Sequence, residues 1–180
     1  IALKRSLDPV VHRAAITKLN GKHILLVEDN EINQLVAMEM LQHMGILVSV
    51  ASHGEQAIAM IRAGAYDAVL MDIQMPGMDG HRTTEIIRSD PSLSAEKLPI
   101  IAMTAHALVG EREKALRSGM NDYISKPVDA AQLTQSLLRW LTSPSAATEA
   151  IAPGNLANSN ELPGAVVALL GANGAGKSTV

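Results

Sequence analysis

Apolar and polar positions along the chain follow two alternating periods. HILLV (23–27) is a short run of β-branched and aliphatic residues, and the segment after it sets Ile32, Leu35, Val36, Met38, Met40 and Leu41 at helical spacing until Gly45 ends it. The same pair recurs four times. ILVSVA (46–51) precedes GEQAIAMIRAG (54–64), and DAVLMD (67–72) precedes a helix over about 79–89. LPIIAMT (98–104) then leads to HALVGEREKALRSG (106–119), and DYISK (122–126) to DAAQLTQSLLRWL (129–141). Five strands each followed by a helix predict a doubly wound α/β domain with a five-stranded parallel sheet. Parallel neighbours need crossover helices, and helices on both faces leave the interior strands apolar on both sides. The crossovers are expected to be right-handed.

Outside this repeat the pattern changes. Residues 1–21 read as a linker or leader from a preceding domain, with mixed charge, Asp8-Pro9 and at most a short helical stretch over 10–19. The compact domain is expected over 22–142. SPSAATEAIAPGNLANSNELPG (143–164) has the composition of a flexible linker, and 165–180 holds a strand, AVVALL, running into GANGAGKST. A chain that starts at Ile1 and stops at Val180 just after that motif reads as cut from something longer.

Composition narrows the function. With 180 residues, 47% of them apolar, the chain can bury a core of ordinary size. A net charge of −3 gives no basic surface, which argues against direct nucleic-acid binding. The absence of Cys excludes disulfides, thiolate metal sites and thiol nucleophiles. No apolar run has membrane-spanning length, and IALKRSLDPV lacks a signal-peptide core. A cytoplasmic location is expected, compatible with the cytoplasmic part of a membrane-bound sensor, and no membrane contact by this fragment.

In parallel α/β sheets, ligand chemistry collects beyond the C-terminal strand ends. The first strand here ends at Glu28-Asp29, the third at Asp72, the fourth at Thr104 and the fifth at Lys126. Asp29 and Asp72, with Glu28, offer the hard oxygen ligands that Mg2+ prefers. Asp72, on the middle strand, is best placed as a nucleophile, with Lys126 to neutralise phosphoryl oxygens and Thr104 to donate a hydrogen bond to them. Each residue also has a plainer reading. Asp29 can cap the first helix, Asp72 can open the turn toward Pro76-Gly77, Thr104 can cap the next helix, and Lys126 can be a solvated charge.

HILLVEDNEIN, VLMDIQMPGMDG, PIIAMTAH and GMNDYISKPVD together resemble the phosphoacceptor receiver domain of two-component response regulators, most closely the receiver modules of hybrid sensor histidine kinases. The resemblance covers 22–142. It implies a flavodoxin-like (CheY-like) three-layer sandwich and a phosphoryl group accepted on Asp72 from a phosphohistidine. It implies Mg2+ held by Glu28, Asp29, Asp72 and the Gln74 carbonyl, phosphoryl contacts from Thr104 and Lys126, and a switch that couples Thr104 to Tyr123. A cis Lys126-Pro127 bond, slow autodephosphorylation, a histidine kinase core or histidine phosphotransfer domain as partner, and a weak homodimer belong to the same expectation. Taken without the family, Tyr123 is more often a half-buried sheet aromatic than a switch.

Other motifs are read more simply. Gly77 and Gly80 bracket a tight loop and serve backbone geometry. Met71 is expected in the core, Met75 and Met78 in the loop, Trp140 as a partly buried anchor of the last helix, and His106 as a surface helix residue. GANGAGKS satisfies the phosphate-loop spacing through Gly171, Gly176, Lys177 and Ser178, and resembles the Walker A segment of ATP-binding cassettes. Too little chain follows for it to work as an NTPase. Two other functions stay open: a non-catalytic interaction module, whose mark would be loss of the acceptor, a metal carboxylate, Thr104 or Lys126, and a regulatory fragment of a larger protein with a P-loop ATPase domain.

Overall fold

A computed structural model describes residues 17–93, 98–105 and 109–142 of the chain. The 143–164 linker, the 165–180 segment with Gly171, Gly176, Lys177 and Ser178, His106 and most of the leader lie outside the described residues. Five strands, β1 (His23–Val27), β2 (Leu47–Ala51), β3 (Ala68–Asp72), β4 (Ile100–Thr104) and β5 (Asp122–Ser125), pair in parallel in the order β2-β1-β3-β4-β5. Between and after them run α1 (Glu31–His43), α2 (Gly54–Ala63), α3 (Gly80–Ser89), α4 (Val109–Arg117) and α5 (Ala130–Thr142). This is the five-stranded, doubly wound sandwich that the alternating periods predict. The elements are a residue or two shorter than most of the sequence segments, and residues 106–108, at the expected start of the fourth helix, lie outside the described residues.

Side chains alternate between the faces of the central strands, so the sheet separates two apolar layers. Leu25, Val27, Val69, Met71, Ile100 and Ala102 face Ala57, Ile58 and Ile61 of α2, Ile87 of α3 and Ala115 of α4. Ile24, Leu26, Ala68, Leu70, Ile101 and Met103 face Ala37 and Leu41 of α1 and Leu133 and Leu137 of α5. All ten residues of β3 and β4 are buried, whereas β2 and β5, at the edges, are partly exposed. Each fully buried Leu or Ile contributes about 1.5–3 kcal/mol relative to exposure. Leu19, which the sequence assigns to the leader, is fully buried in the second layer. Met71 is buried as expected, while Met75 lies in its loop yet packs into the first layer.

Candidate functional site

In this strand order the chain leaves β1 toward β2 on one side, and β3 continues toward β4 on the other. A crevice therefore opens between the C-terminal ends of β1 and β3, where ligands bind in open α/β sheets. Glu28 and Asp29 directly follow β1, and Asp72 ends β3. One carboxylate oxygen from each of these three residues lies within 4.8 Å of the others. Glu28 and Asp72 are buried, at 1% and 2% exposure, while Asp29 stands exposed at the mouth.

Lys126 enters this cluster from the far edge of the sheet. β4 pairs with β5 in register Thr104↔Ser125, and the Lys126 amide donates to the Thr104 carbonyl at 2.7 Å, which carries Lys126 just past the strand ends. The Lys126–Pro127 peptide bond is cis. Lys126 Nζ reaches both Glu28 Oε2 and Asp72 Oδ2 at 2.7 Å, so it is a bridging ammonium and not a solvated charge. Three carboxylates against one ammonium leave a surplus of two negative charges, which matches a divalent cation. The donors are all carboxylate oxygens, the chemistry that Mg2+ favours.

Burial pushes the Asp72 carboxyl above its ordinary value, and the Glu28 charge adds to the push. Lys126 and the Gln74 amide, which donates to Asp72 Oδ1 at 3.0 Å, oppose it without cancelling it. Burial alone would lower the Lys126 pKa, but the hydrogen bonds that it donates to Asp72 and Glu28 override that and hold it above the ordinary value. The ammonium therefore stays charged at neutral pH.

The surrounding backbone fits the cluster closely. Asn30, and not Asp29, caps α1: its Oδ1 accepts from the amides of Ile32 at 3.0 Å and Asn33 at 3.1 Å, which leaves the Asp29 carboxylate with the cluster. Gly77 turns the loop with φ +80°, whereas Gly80 is required for a different reason. Its amide donates to the Ile73 carbonyl, and a Cβ there would collide with the Asp72 carbonyl, so α3 starts pressed against the end of β3. Thr104 is buried beside the crevice at the end of β4. Tyr123 lies one strand away on β5, 36% exposed, with the Arg112 guanidinium 5.7 Å from its ring centre. Gln74 follows Asp72 at the exposed rim.

Sequence reasoning missed the residues that hold Glu28. Asn33 Nδ2 donates to Glu28 Oε1 at 2.9 Å, and Gln34 Nε2 donates to the Glu28 carbonyl at 2.7 Å. The available signal was two adjacent amides in the first turn of a helix that begins beside a carboxylate pair. Trp140, expected as a half-buried anchor, donates Nε1–H to Asp122 Oδ2 at 3.1 Å.

Residues 24–138 match the response regulator receiver domain family. The chain is 43% identical over 143 residues to the Sensor protein GacS of Pseudomonas syringae pv. syringae, and 36% identical over 130 residues to the Signal transduction histidine-protein kinase BarA of Escherichia coli (strain K12). Those matches take in 77% and 72% of this chain but 16% and 14% of the two proteins, so the chain spans a small part of the relatives' length. The receiver domain of a sensor histidine kinase from Pseudomonas aeruginosa PAO1, solved with a magnesium ion coordinated in its active site cleft, is similar at 45% identity and a TM-score of 0.63. That match covers 68% of this chain and 99% of the other. A co-crystal of the Saccharomyces cerevisiae histidine phosphotransfer signalling protein Ypd1 with the receiver domain of its downstream response regulator Ssk1 is similar at 28% identity and a TM-score of 0.62. It covers 68% of this chain and 90% of the matched one. A family match over more than half the sequence, on a parallel sheet whose strand ends gather three carboxylates and a lysine, places this chain in the response regulator receiver domain family.

Proposed function

We propose that the chain is a phosphorelay receiver in which Asp72 accepts a phosphoryl group from a phosphohistidine. The observation that carries this reading is the cluster of Glu28, Asp29 and Asp72 within 4.8 Å, bridged by Lys126 at 2.7 Å. Transfer of this kind asks little acid–base chemistry of a protein and much positioning and charge stabilisation. An Asp72 carboxylate oxygen attacks phosphorus, the phosphorus–nitrogen bond of the donor breaks, and the imidazole leaves with the bonding pair and takes up a proton. The product is an acyl phosphate on Asp72, which water later hydrolyses to the carboxylate and inorganic phosphate.

Glu28, Asp29, Asp72 and the Gln74 carbonyl would hold Mg2+, which supplies charge neutralisation between the acceptor and the phosphoryl oxygens. Lys126 pairs with the transferred oxygens once Asp72 has reacted, and Thr104 donates its hydroxyl to them. The new phosphate oxygens are strong acceptors, so drawing Thr104 inward vacates space toward Tyr123 and carries the change to α4, β5 and α5. The donor is a histidine kinase core or a histidine phosphotransfer domain. Among the described residues no helix is long and apolar enough to cross a membrane, and we assign the domain to the cytoplasm.

The deciding experiment is mass measurement after incubation with acetyl phosphate and Mg2+. One added phosphoryl group on the wild type and none on Asp72→Asn is the expected result. Labelling that persists in Asp72→Asn, or that is indifferent to EDTA, would remove the assignment. Amide shifts on beryllofluoride loading are expected to reach Tyr123, and shifts confined to the crevice would argue against the switch.

A further inference from the structure

Glu28 is the most deeply buried of the three carboxylates, and its two oxygens have different partners. Oε2 faces Lys126 Nζ at 2.7 Å, an ammonium that it shares with Asp72. Oε1 accepts from Asn33 Nδ2 at 2.9 Å and, at the longer distance of 3.4 Å, from the Asn30 amide. Lys126 is an impermanent brace, since it is also the group that must turn to phosphoryl oxygens. Asn33 carries no charge and has no second carboxylate to serve.

The helix start fixes Asn33 for this task. Its own amide is held by the Asn30 cap at 3.1 Å, so its side chain leaves a constrained backbone and reaches back to the end of β1. Next to it, Gln34 Nε2 ties the Glu28 carbonyl at 2.7 Å and reaches Ser52 Oγ at 3.4 Å beyond the end of β2. Consecutive amides thus hold the side chain and the main chain of one residue. Holding a carboxylate still matters most to an ion that demands a fixed geometry. Mg2+ requires near-ideal octahedral ligation at about 2.0–2.1 Å, whereas Ca2+ accepts a looser, more numerous shell at about 2.3–2.6 Å.

We infer that Asn33 is a positioning residue that, by donating to Glu28 Oε1, gives the carboxylate cluster its preference for Mg2+ over Ca2+. The inference rests on the reading of this cluster as a divalent-cation site. It is tested by calorimetric titration of the chain with MgCl2 and, separately, with CaCl2, using the wild type, Asn33→Ala, the isosteric Asn33→Asp, and Gln42→Ala as an exposed control on the same helix. Asn33 is exposed, so truncation opens no cavity, and Ala is the better helix former, so α1 is expected to persist. In Asn33→Ala the Kd for Mg2+ rises about tenfold, as loss of a partner to a ligating group usually brings, and the Kd for Ca2+ moves far less. Asn33→Asp keeps the shape but loses the donor, so the ratio of the Mg2+ constant to the Ca2+ constant rises there too, even though its added charge attracts both ions. Gln42→Ala leaves the ratio unchanged. Equal shifts for the two ions in Asn33→Ala, or an intact ratio in Asn33→Asp, would overturn the inference while sparing the metal site. A wild type that binds neither ion would overturn both.

Discussion

Lys126 is the side chain on which the crevice depends most. It stands 2.7 Å from two buried carboxylates, and removing one partner of such a group leaves uncompensated charge in a poorly solvated place. Lys126→Ala is therefore predicted to lose about 3 kcal/mol of stability in EDTA, the lower end for a broken buried pair. Added Mg2+ should return more of that stability to the variant than it gives the wild type, since the surplus negative charge is then larger; urea denaturation with and without the ion measures both. A second carboxylate predicts a pH effect away from the site. Asp90, after α3, accepts from the hydroxyl and amide of Ser92 and from Arg62 Nη2 at 2.7 Å, and these partners lower its pKa from 3.8 to about 2. A depressed carboxyl contributes stability that is present above its unfolded value and is lost as pH falls through the folded one. Asp90→Asn should thus melt below the wild type at pH 6, and the gap should close between pH 3.8 and about 2; a gap that is constant down to pH 2 would disprove the assignment. The two sites differ in how readable they were. Asp72, Thr104 and Lys126 could be singled out because each is a polar residue ending an apolar run. The Asn33–Glu28 contact could not, because the distance across a helix start depends on how the cap turns the chain. His81 was equally hidden: it lies at the polar start of α3, yet it is buried, with Nδ1 3.1 Å from Ser118 Oγ, and burial lowers its pKa.

Among the elements, α1 departs furthest from the core-facing helix that its apolar spacing suggests. Only Ala37 and Leu41 are buried, whereas Ile32, Leu35 and Val36 are exposed at 73%, 62% and 44%. Residues at i, i+3 and i+4 share a helix face, so these three form one apolar stripe, and it begins three residues after Asp29. The sequence pattern could not reveal this, because a helix with apolar residues on two faces has the same spacing whichever face is covered. A solvent-facing apolar stripe beside a reactive crevice is suited to a protein donor, and a small-molecule donor has no use for it. Ile32→Asp is accordingly predicted to slow phosphoryl transfer from a phosphohistidine protein about tenfold or more, the cost of losing an interface anchor. Labelling by acetyl phosphate should be unaffected. Equal loss with both donors would mean that the substitution damages the crevice, and no loss with either would mean that the donor docks elsewhere. The edge strands were more legible than this helix. LVSVA in β2 mixes polar with apolar positions, as an outer strand allows, while AVLMD and IIAMT are buried throughout, as strands covered on both faces must be.

At the scale of the molecule, the number of strands and their parallel sense followed from the alternation of periods, but their order did not. Placing β1 between β2 and β3 requires knowing which crossovers pass over which face, and that is decided by contacts such as Leu133 and Leu137 of α5 against the layer shared with α1. Once the order is set, the crevice at β1 and β3 follows, and every group assigned to the chemistry lies between Glu28 and Lys126. The last helix among the described residues, α5, ends at Thr142, after Leu133, Thr134, Ser136 and Leu137 have been buried. At the other end Leu19 is fully buried, so the packed unit needs residues before β1. Among the described residues, the last in either apolar layer is Leu141. All five strand and helix pairs are complete by Thr142, so removing 143–180 is predicted to leave phosphorylation by acetyl phosphate and the melting temperature as they are, whereas removing 1–21 should lower the melting temperature through loss of Leu19. A fall of more than about 10 °C on deleting 143–180, several kcal/mol for a domain of this size, or a loss of Asp72 labelling, would show that the phosphate-loop segment belongs to the working domain.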